Sequence, residues 1–345
     1  MEKTIDIIIP VYKAHDTLFS CLASIAMQTI APKIQVTLVN DQCPEGDYTD
    51  IIQRFDGYLS IQELMLEHNV GPGDARQYGI EHTTCPFIFF VDADDVLLTT
   101  RAIEDLYNDL INNPNTWMIM GRTVEEMPDG EWMPLPMPNS IWIFGKCYRR
   151  SILEKYNIRF KPGSRSNEDV GFNTLLTILS SAHQDAVRAY NKVIYLWRYK
   201  EDSITRIDDS MYTYLDGPVG WVDNLIHAYS TAMSMGDDVQ IEAIPLYNMI
   251  AGWCAESWIL YNNIYHWKPD MCKRNWPLFV KLYNDTARPH IEQMTATEWQ
   301  AGLNSINDQG LGAIEKHITF KDYMQALHNS IDFLDISQYE EPNAS

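Results

Sequence analysis

Over roughly its first 125 residues the chain alternates β-branched apolar runs with helical stretches, one of each in turn. The strand candidates are "IDIIIPVY" (5–12), "IQVTLVND" (34–41), "LSIQELML" (59–66), "PFIFFVDAD" (86–94) and "TWMIMGRTV" (116–124). Between them, residues Thr17 to Gln28 place Leu18, Cys21, Leu22 and Ile25 on one helical face. "DYTDIIQRF", "GDARQYGIEHT" and "TRAIEDLYNDLINN" complete the helical series. Strands separated by single helices predict an α/β fold, with a mostly parallel sheet covered on both faces. In such sheets ligands bind beyond the carboxyl ends of the strands.

At that end the fourth strand carries an unusual load. "FIFFVDADDVL" (87–97) runs from a buried apolar stretch into Asp92, Asp94 and Asp95. Alternation along a strand would point Asp92 and Asp94 to one side, where like charges raise each other's pKa unless a cation intervenes. An oxygen-only set of this kind suits a hard divalent ion such as Mg²⁺ or Mn²⁺. The competing reading is an ordinary turn, which Asp also favours. Asp41 likewise falls at the carboxyl end of the second strand.

With a net charge of −21 over 345 residues, the chain disfavours nucleic acid and anionic membrane as partners. No apolar run reaches the roughly 18 residues of a membrane-spanning helix, and "MEKTIDIIIPVY" lacks signal-peptide architecture. Six cysteines without a CxxC pair point to a reduced, cytoplasmic protein without structural zinc. Against the acidic background, Lys146, Arg149, Arg150, Lys155, Arg159, Lys161 and Arg165 crowd one stretch in which Glu154 is the only acid. They read as a solvated face or as a local anion site.

Beyond residue 125 the pattern is mixed. "MPDGEWMPLPMPNS" reads as an irregular loop, "SILEKYN" and "EDVGFNTLLTILSSA" as helices, and "KVIYLWRY" as a strand. From about residue 216 helical segments rich in large aromatics take over. The expected division is therefore 1–210, with halves at 1–125 and 126–210, and a helical region at 211–345. Trp221, Trp253, Trp258 and Trp267 suit a helical core, an acceptor-stacking platform or a homo-oligomer face.

Four segments in order, "IIIPVYKAHDTLFSCLASIAMQT", "VNDQCPEG", "HNVGPGDARQYGIEHTTCPFIFFVDADD" and "SNEDVGFN", resemble family 2 glycosyltransferases. The resemblance spans roughly the first 206 residues. It implies a GT-A fold, which is Rossmann-like: 1–125 as the nucleotide-binding half and 126–210 as the acceptor-binding half. It also implies a sugar-nucleotide donor, with UDP expected, and a divalent Mn²⁺ or Mg²⁺. By that resemblance Pro10, Val11 and Tyr12 would line the nucleotide; Tyr12 reads either as a stacking face for a base or as a buried core ring. Asp41 would accept an imide N–H from uracil. Arg76 would neighbour the diphosphate or metal, or else pair with Asp74 or the 92–95 acids. Asp92-Ala93-Asp94 matches the DxD motif: Asp94 a direct metal ligand and Asp92 at the metal or ribose. Apart from the resemblance, Asp95 reads as a cap on the following segment. In "NEDVGFN", Asp169 would be the general base and Glu168 would orient the acceptor. Ser203, Thr205 and Arg206 would close over the diphosphate, with Arg198 or Lys200 adding a phosphate contact. The chain departs from the family's pattern in "NDQCPEG", in Gln77, and in lacking a histidine near Lys200.

The implied activity is a single, inverting sugar transfer to a hydroxyl of a glycan, a lipid-linked glycan or another acceptor. Three rivals stand beside it: a nucleotidyltransferase, a non-catalytic sugar-nucleotide sensor or scaffold, and a glycosyltransferase acting on a modified nucleic-acid base. "PVYKAHDT" lacks the Gly-rich phosphate loop that the first rival would need.

Overall fold

Asp92 and Asp94 lie just past the end of a fully buried strand, and the sheet around that strand explains how they come to be there. The structure, a computed structural model, describes residues 2–135, 141–164, 166–201, 203 and 217–236. It divides into two units, Met1–Ser203 and Ile204–Ser345.

In the first unit β1 (Ile5–Val11), β2 (Ile34–Asn40), β3 (Ser60–Met65) and β4 (Phe87–Phe90) pair in parallel in the order β3-β2-β1-β4. Helices α1 (Leu18–Ala26), α2 (Thr49–Ile52) and α3 (Pro72–Glu81) make the crossovers. The four apolar positions expected on the first helix, Leu18, Cys21, Leu22 and Ile25, are all fully buried. They join the β-branched residues of β1 and β2 in one core. Gly79 lets α3 lie flat on this sheet, because a Cβ there would come within 2.5 Å of Ile8 Cγ2.

Past β4 the sheet departs from simple alternation. The strands β5 (Val96–Leu97), β6 (Met118–Glu126), β7 (Trp132–Pro134), β8 (Lys146–Arg149) and β9 (Val187–Trp197) follow, with α4 (Ala102–Asn112) between β5 and β6. β8 sits antiparallel between β4 and β6, while β9 pairs β6 in parallel and β5 antiparallel. β8 therefore takes the place beside β4 that strict βαβ alternation would give to β6. The stretch read as an irregular loop contains β7, which closes a hairpin on β6, and residues 136–140 of that stretch lie outside the described residues.

β8 also carries the first part of the basic cluster, Lys146 and Arg149, into the fold. α5 (Arg150–Lys155) follows it directly. Arg150 is buried and donates to the carbonyls of Cys85 and Ile80, to Thr83 Oγ1 and to Asp6 Oδ2. Arg149 donates to the carbonyls of Leu110, Asn113 and Thr116, closing the end of α4. Lys146 is buried too, and its ammonium donates to the Trp142 carbonyl. Lys146, Arg149 and Arg150 thus satisfy oxygens inside the fold rather than forming a solvated face, whereas Lys155 is exposed and Arg159 and Lys161 are half-buried; Arg165 lies outside the described residues.

The last helix of the first unit is α6 (Glu168–Ser180). In the second unit the described helix is α7 (Gly217–Ser234), which buries Asn224, Leu225, Ala228 and Ala232. Trp253, Trp258 and Trp267 lie outside the described residues. Among the described residues no helix is long and apolar enough to cross a membrane.

Candidate active site

The carboxyl ends of β1, β2 and β4 and the N-terminus of α6 carry the residues that the sequence singled out. After β1, Tyr12 is 45% exposed, which removes the core reading; Lys13 Nζ lies over its ring, 5.3 Å from the centroid. Pro10 is half-buried. Val11 and Ala93 are buried in the core, so only their backbone groups can meet a ligand.

Asp41, buried just beyond β2, accepts hydrogen bonds from Asn69 Nδ2 (2.9 Å), Val70 N (2.7 Å) and Gly71 N (2.9 Å). A carboxylate has about four lone-pair sites, so this one is largely committed to the loop that opens α3. Gly71, at φ 92°, takes a left-handed turn that an L side chain would resist, and Pro72 then starts the helix. Asp41 thereby sets where α3 begins, and with it the position of Arg76 one turn on.

Arg76 is the junction. Buried at 4% exposure, it donates through Nη2 to Asp92 Oδ1 at 2.6 Å and through Nη1 to Glu168 Oε1 at 2.5 Å. Asp74, the other partner considered, instead accepts from Gly163 N. One guanidinium thus ties the acids after β4 to the acids that open α6. Close approach of the two helices depends on Gly73, where a Cβ would sit 2.8 Å from Glu168 Cγ and 2.9 Å from its Cβ. In an ordinary helix Gly→Ala is worth about 1 kcal/mol of added stability. Here we predict the opposite sign: Gly73→Ala should cost about 1–3 kcal/mol in urea unfolding and push Glu168 off Arg76. Unchanged or increased stability would show that the helices have room to spare.

β4 ends at Phe90, so Asp92 and Asp94 stand in the turn that follows, closed by the Asp95 N–H donating to the Asp92 carbonyl. The turn and the acid cluster are thus the same feature, and strand alternation does not govern it. Asp95 does not cap a helix. It is buried and accepts from Tyr195 Oη (2.8 Å) and Arg198 N (2.8 Å), fastening β9 to the turn. Asp94 is half-buried and makes no salt bridge among the described residues. Burial and the Asp92 charge push its pKa up, and the charges of Lys200 and Arg198 only partly offset them. Two carboxylates in one turn, one of them without a cationic partner in contact, fit a hard divalent ion. Asp92 and Asp94 are the residues that would hold it, since Asp95 is spent on β9.

On the other side of Arg76, Asp169 lies in the first turn of α6, after Asn167 in the left-handed region at φ 53°. Its Oδ1 accepts the Val170 N–H at 2.9 Å. Burial, then the neighbouring Glu168 charge, pushes its pKa up to about 7, against the pull of Arg76, the Val170 N–H and Lys146. Burial also brings Lys146 down to about 7. One turn further, Asn173 accepts from Tyr148 Oη and donates to the carbonyls of Ile141 and Trp142. It holds Trp142 beside Phe144 (ring centroids 5.7 Å apart) and Trp197 (6.2 Å). This aromatic group, one helical turn from Asp169 through Asn173, escaped the sequence reading, because its members come from a loop and a strand 55 residues apart. Ser203 is half-buried with its N–H on the Lys200 carbonyl; Thr205 and Arg206 lie outside the described residues.

Comparison with known proteins places this arrangement. Residues 6–166 match the family model "Glycosyl transferase family 2". A poly(ribitol-phosphate) beta-N-acetylglucosaminyltransferase, TarP of Staphylococcus aureus, is 26% identical over 187 residues, 48% of this chain and 55% of that protein. An uncharacterized glycosyltransferase, YibD of Escherichia coli, is 26% identical over 193 residues, 49% of this chain and 55% of its own. The chain therefore spans about half the length of these curated relatives. Among solved structures, S. aureus TarS 1-349 in complex with UDP-GlcNAc superimposes with a TM-score of 0.59 at 16% identity, over 97% of this chain and 89% of that one. The mannosyltransferase PcManGT of Pyrobaculum calidifontis, in complex with GDP-Man and Mn2+, does so at 0.51 and 12% identity, over 99% and 89%. These likenesses establish the GT-A-type fold, and the segment that matches glycosyl transferase family 2, residues 6–166, runs from β1 to the loop before α6.

Proposed function

We propose that this chain is a divalent-metal-dependent, inverting glycosyltransferase that moves one sugar from a UDP-sugar to an acceptor hydroxyl. The observation that carries this reading is the Arg76 guanidinium held between Asp92 and Glu168. It joins a diphosphate-side acid pair to an acceptor-side acid pair. The exposed ring of Tyr12 and the lone-pair capacity left on Asp41 would receive the base. UDP is favoured because relatives of the same fold are solved with UDP and with UDP-GlcNAc. UDP-GlcNAc is therefore the first donor to try.

In the reaction, Asp169 takes the proton from the acceptor hydroxyl as that oxygen forms its bond to the anomeric carbon. The bond from that carbon to the diphosphate oxygen breaks on the opposite face, and its electron pair leaves with UDP. A single in-line displacement inverts the anomeric centre. Glu168, fixed by Arg76, orients the acceptor and keeps a negative charge next to the base. A divalent ion on Asp92 and Asp94 supplies charge stabilisation to the leaving diphosphate.

A base held near pH 7 gives a signed prediction. Turnover should rise with pH through about 7 and level off above it, since only the ionised carboxylate accepts the proton. A rate already flat from about pH 5 upward would mean that Asp169 titrates in the ordinary carboxylate range. The reading as a whole is tested by thermal shift with nucleoside diphosphate sugars, with and without Mn²⁺, followed by product analysis. Mn²⁺-dependent stabilisation by a UDP-sugar, with release of UDP, is expected. Release of pyrophosphate would identify a nucleotidyltransferase. Donor binding with no turnover over a broad acceptor panel would identify a sensor.

A further inference from the structure

A second cluster lies at the neighbouring edge of the sheet, on two loops the transfer mechanism leaves unexplained. The loop after β1 carries His15, and the loop after β2 carries Cys43 and Glu45. Their ligand atoms, His15 Nδ1 or Nε2, Cys43 Sγ and a Glu45 carboxylate oxygen, all lie within 4.8 Å of one another. The imidazole is held from two directions. Its ring stacks on the buried Tyr48 with centroids 4.2 Å apart, and Nε2 lies 3.0 Å from the Asp47 carbonyl. A carbonyl only accepts, so Nε2 carries the hydrogen and Nδ1 is left to face the cluster. Nδ1 is shielded from solvent and lies 2.9 Å from Glu45 Oε2, another side-chain donor of the cluster. A ring nitrogen fixed by a carbonyl on its far side is the arrangement found behind metal-bound histidines.

The sulfur is prepared in the same sense. Cys43 is 8% exposed, and Sγ accepts the Lys13 N–H at 3.3 Å. The Tyr48 hydroxyl accepts the Ala14 N–H at 3.2 Å. Lys13 and Gln42, next to the two ligand-bearing stretches, both take left-handed backbone conformations, at φ 52° and 51°.

We propose that His15, Cys43 and Glu45 form a binding site for a zinc-class divalent ion that clamps the loop after β1 to the loop after β2. Nitrogen, sulfur and carboxylate donors suit Zn²⁺ and its tetrahedral mimic Co²⁺, whereas Mn²⁺ and Mg²⁺ prefer all-oxygen sets. Tetrahedral bonds of about 2.0–2.3 Å set donor atoms roughly 3.3–3.7 Å apart, so His15 Nδ1 and Glu45 Oε2, now 2.9 Å apart, would open slightly to admit an ion while the cluster as a whole, within 4.8 Å, draws in. With three protein ligands the fourth position stays open, on the side where Glu45 meets solvent. The same loops carry Tyr12 and Asp41, so the clamp would steady the edge where the base of a donor is proposed to sit. The site itself stands whether or not the chain transfers sugar.

The test uses the full chain, stripped with a chelator and titrated with CoCl₂. One equivalent should produce a thiolate-to-cobalt charge-transfer band that ZnCl₂ abolishes, and MnCl₂ should produce no competition. Cys43→Ser should remove the band. Glu45→Gln, at a solvent-facing position that does not threaten folding, should weaken Co²⁺ binding at least about tenfold. Asp94→Asn should leave the band unchanged, which separates this site from the acidic turn. No cobalt–thiolate band in the wild-type chain would overturn the proposal and leave His15 and Glu45 as a simple ion pair. A band undiminished in Cys43→Ser would overturn it as well, by moving the site to another cysteine.

Discussion

Asp169→Asn should lower turnover by about 10²–10⁴-fold, the usual contribution of a positioned general base, while leaving donor binding and Mn²⁺ response in place. Asparagine keeps the shape and still accepts the Val170 N–H through its carbonyl oxygen, but it cannot take a proton. The same substitution should raise stability at alkaline pH. The folded pKa is displaced upward, to about 7, so the fold favours the protonated carboxyl. That contribution is full below the ordinary carboxylate value and is lost as pH climbs through about 7. Above that point the wild-type chain carries an unfavourable buried charge that asparagine lacks. Steady-state rates with UDP release, together with thermal melts at pH 5 and pH 8, would check both halves. A mutant with near wild-type turnover would remove Asp169 from the proton-transfer role. A melt difference of the opposite sign would mean that Arg76 and the helix terminus win over burial.

Arg76→Met should be the most damaging substitution for the fold itself. Removing the guanidinium leaves Asp92 and Glu168 facing a buried space without a counter-charge, a loss of about 3–5 kcal/mol. Against a typical total of about 5–15 kcal/mol, that is a large fraction, and urea unfolding would read it directly. Pairing the change with Glu168→Gln should recover part of the loss, because one of the stranded charges goes with it. If the double mutant is less stable than Arg76→Met by the full effect of Glu168→Gln alone, the two groups are not coupled. Lysine at 76 should rescue poorly: a single ammonium cannot present two diverging N–H pairs to acids on opposite sides.

How far residues 1–203 can be read from their order depends on the kind of signal. The helix with Leu18, Cys21, Leu22 and Ile25 was legible because burial of one face repeats along consecutive turns. Asp41 and Asp92 were legible at the carboxyl edge of the sheet because parallel strands deliver those ends to one side. β8 was not legible. Lys146, Arg149 and Arg150 look like surface residues in any hydropathy profile, and only the carbonyls that receive them make their burial tolerable. The first three cations of the basic run were therefore misread for the same reason that the strand was missed. Asp95 shows the converse: adjacent to Asp94 and identical in type, it is buried on Tyr195 and the Arg198 N–H, partners about a hundred residues away.

Local pattern by itself determined the α/β alternation, the parallel first half of the sheet and the acids at its edge, because periodicity and strand ends are properties of neighbouring residues. Tertiary structure alone decided which acid meets which cation. Arg76 lies 16 residues from Asp92 and 92 from Glu168, and His15 lies 28 residues before Cys43. Charges and metal donors at such separations carry no period, and they become partners only when the crossovers bring separate strand ends to one rim.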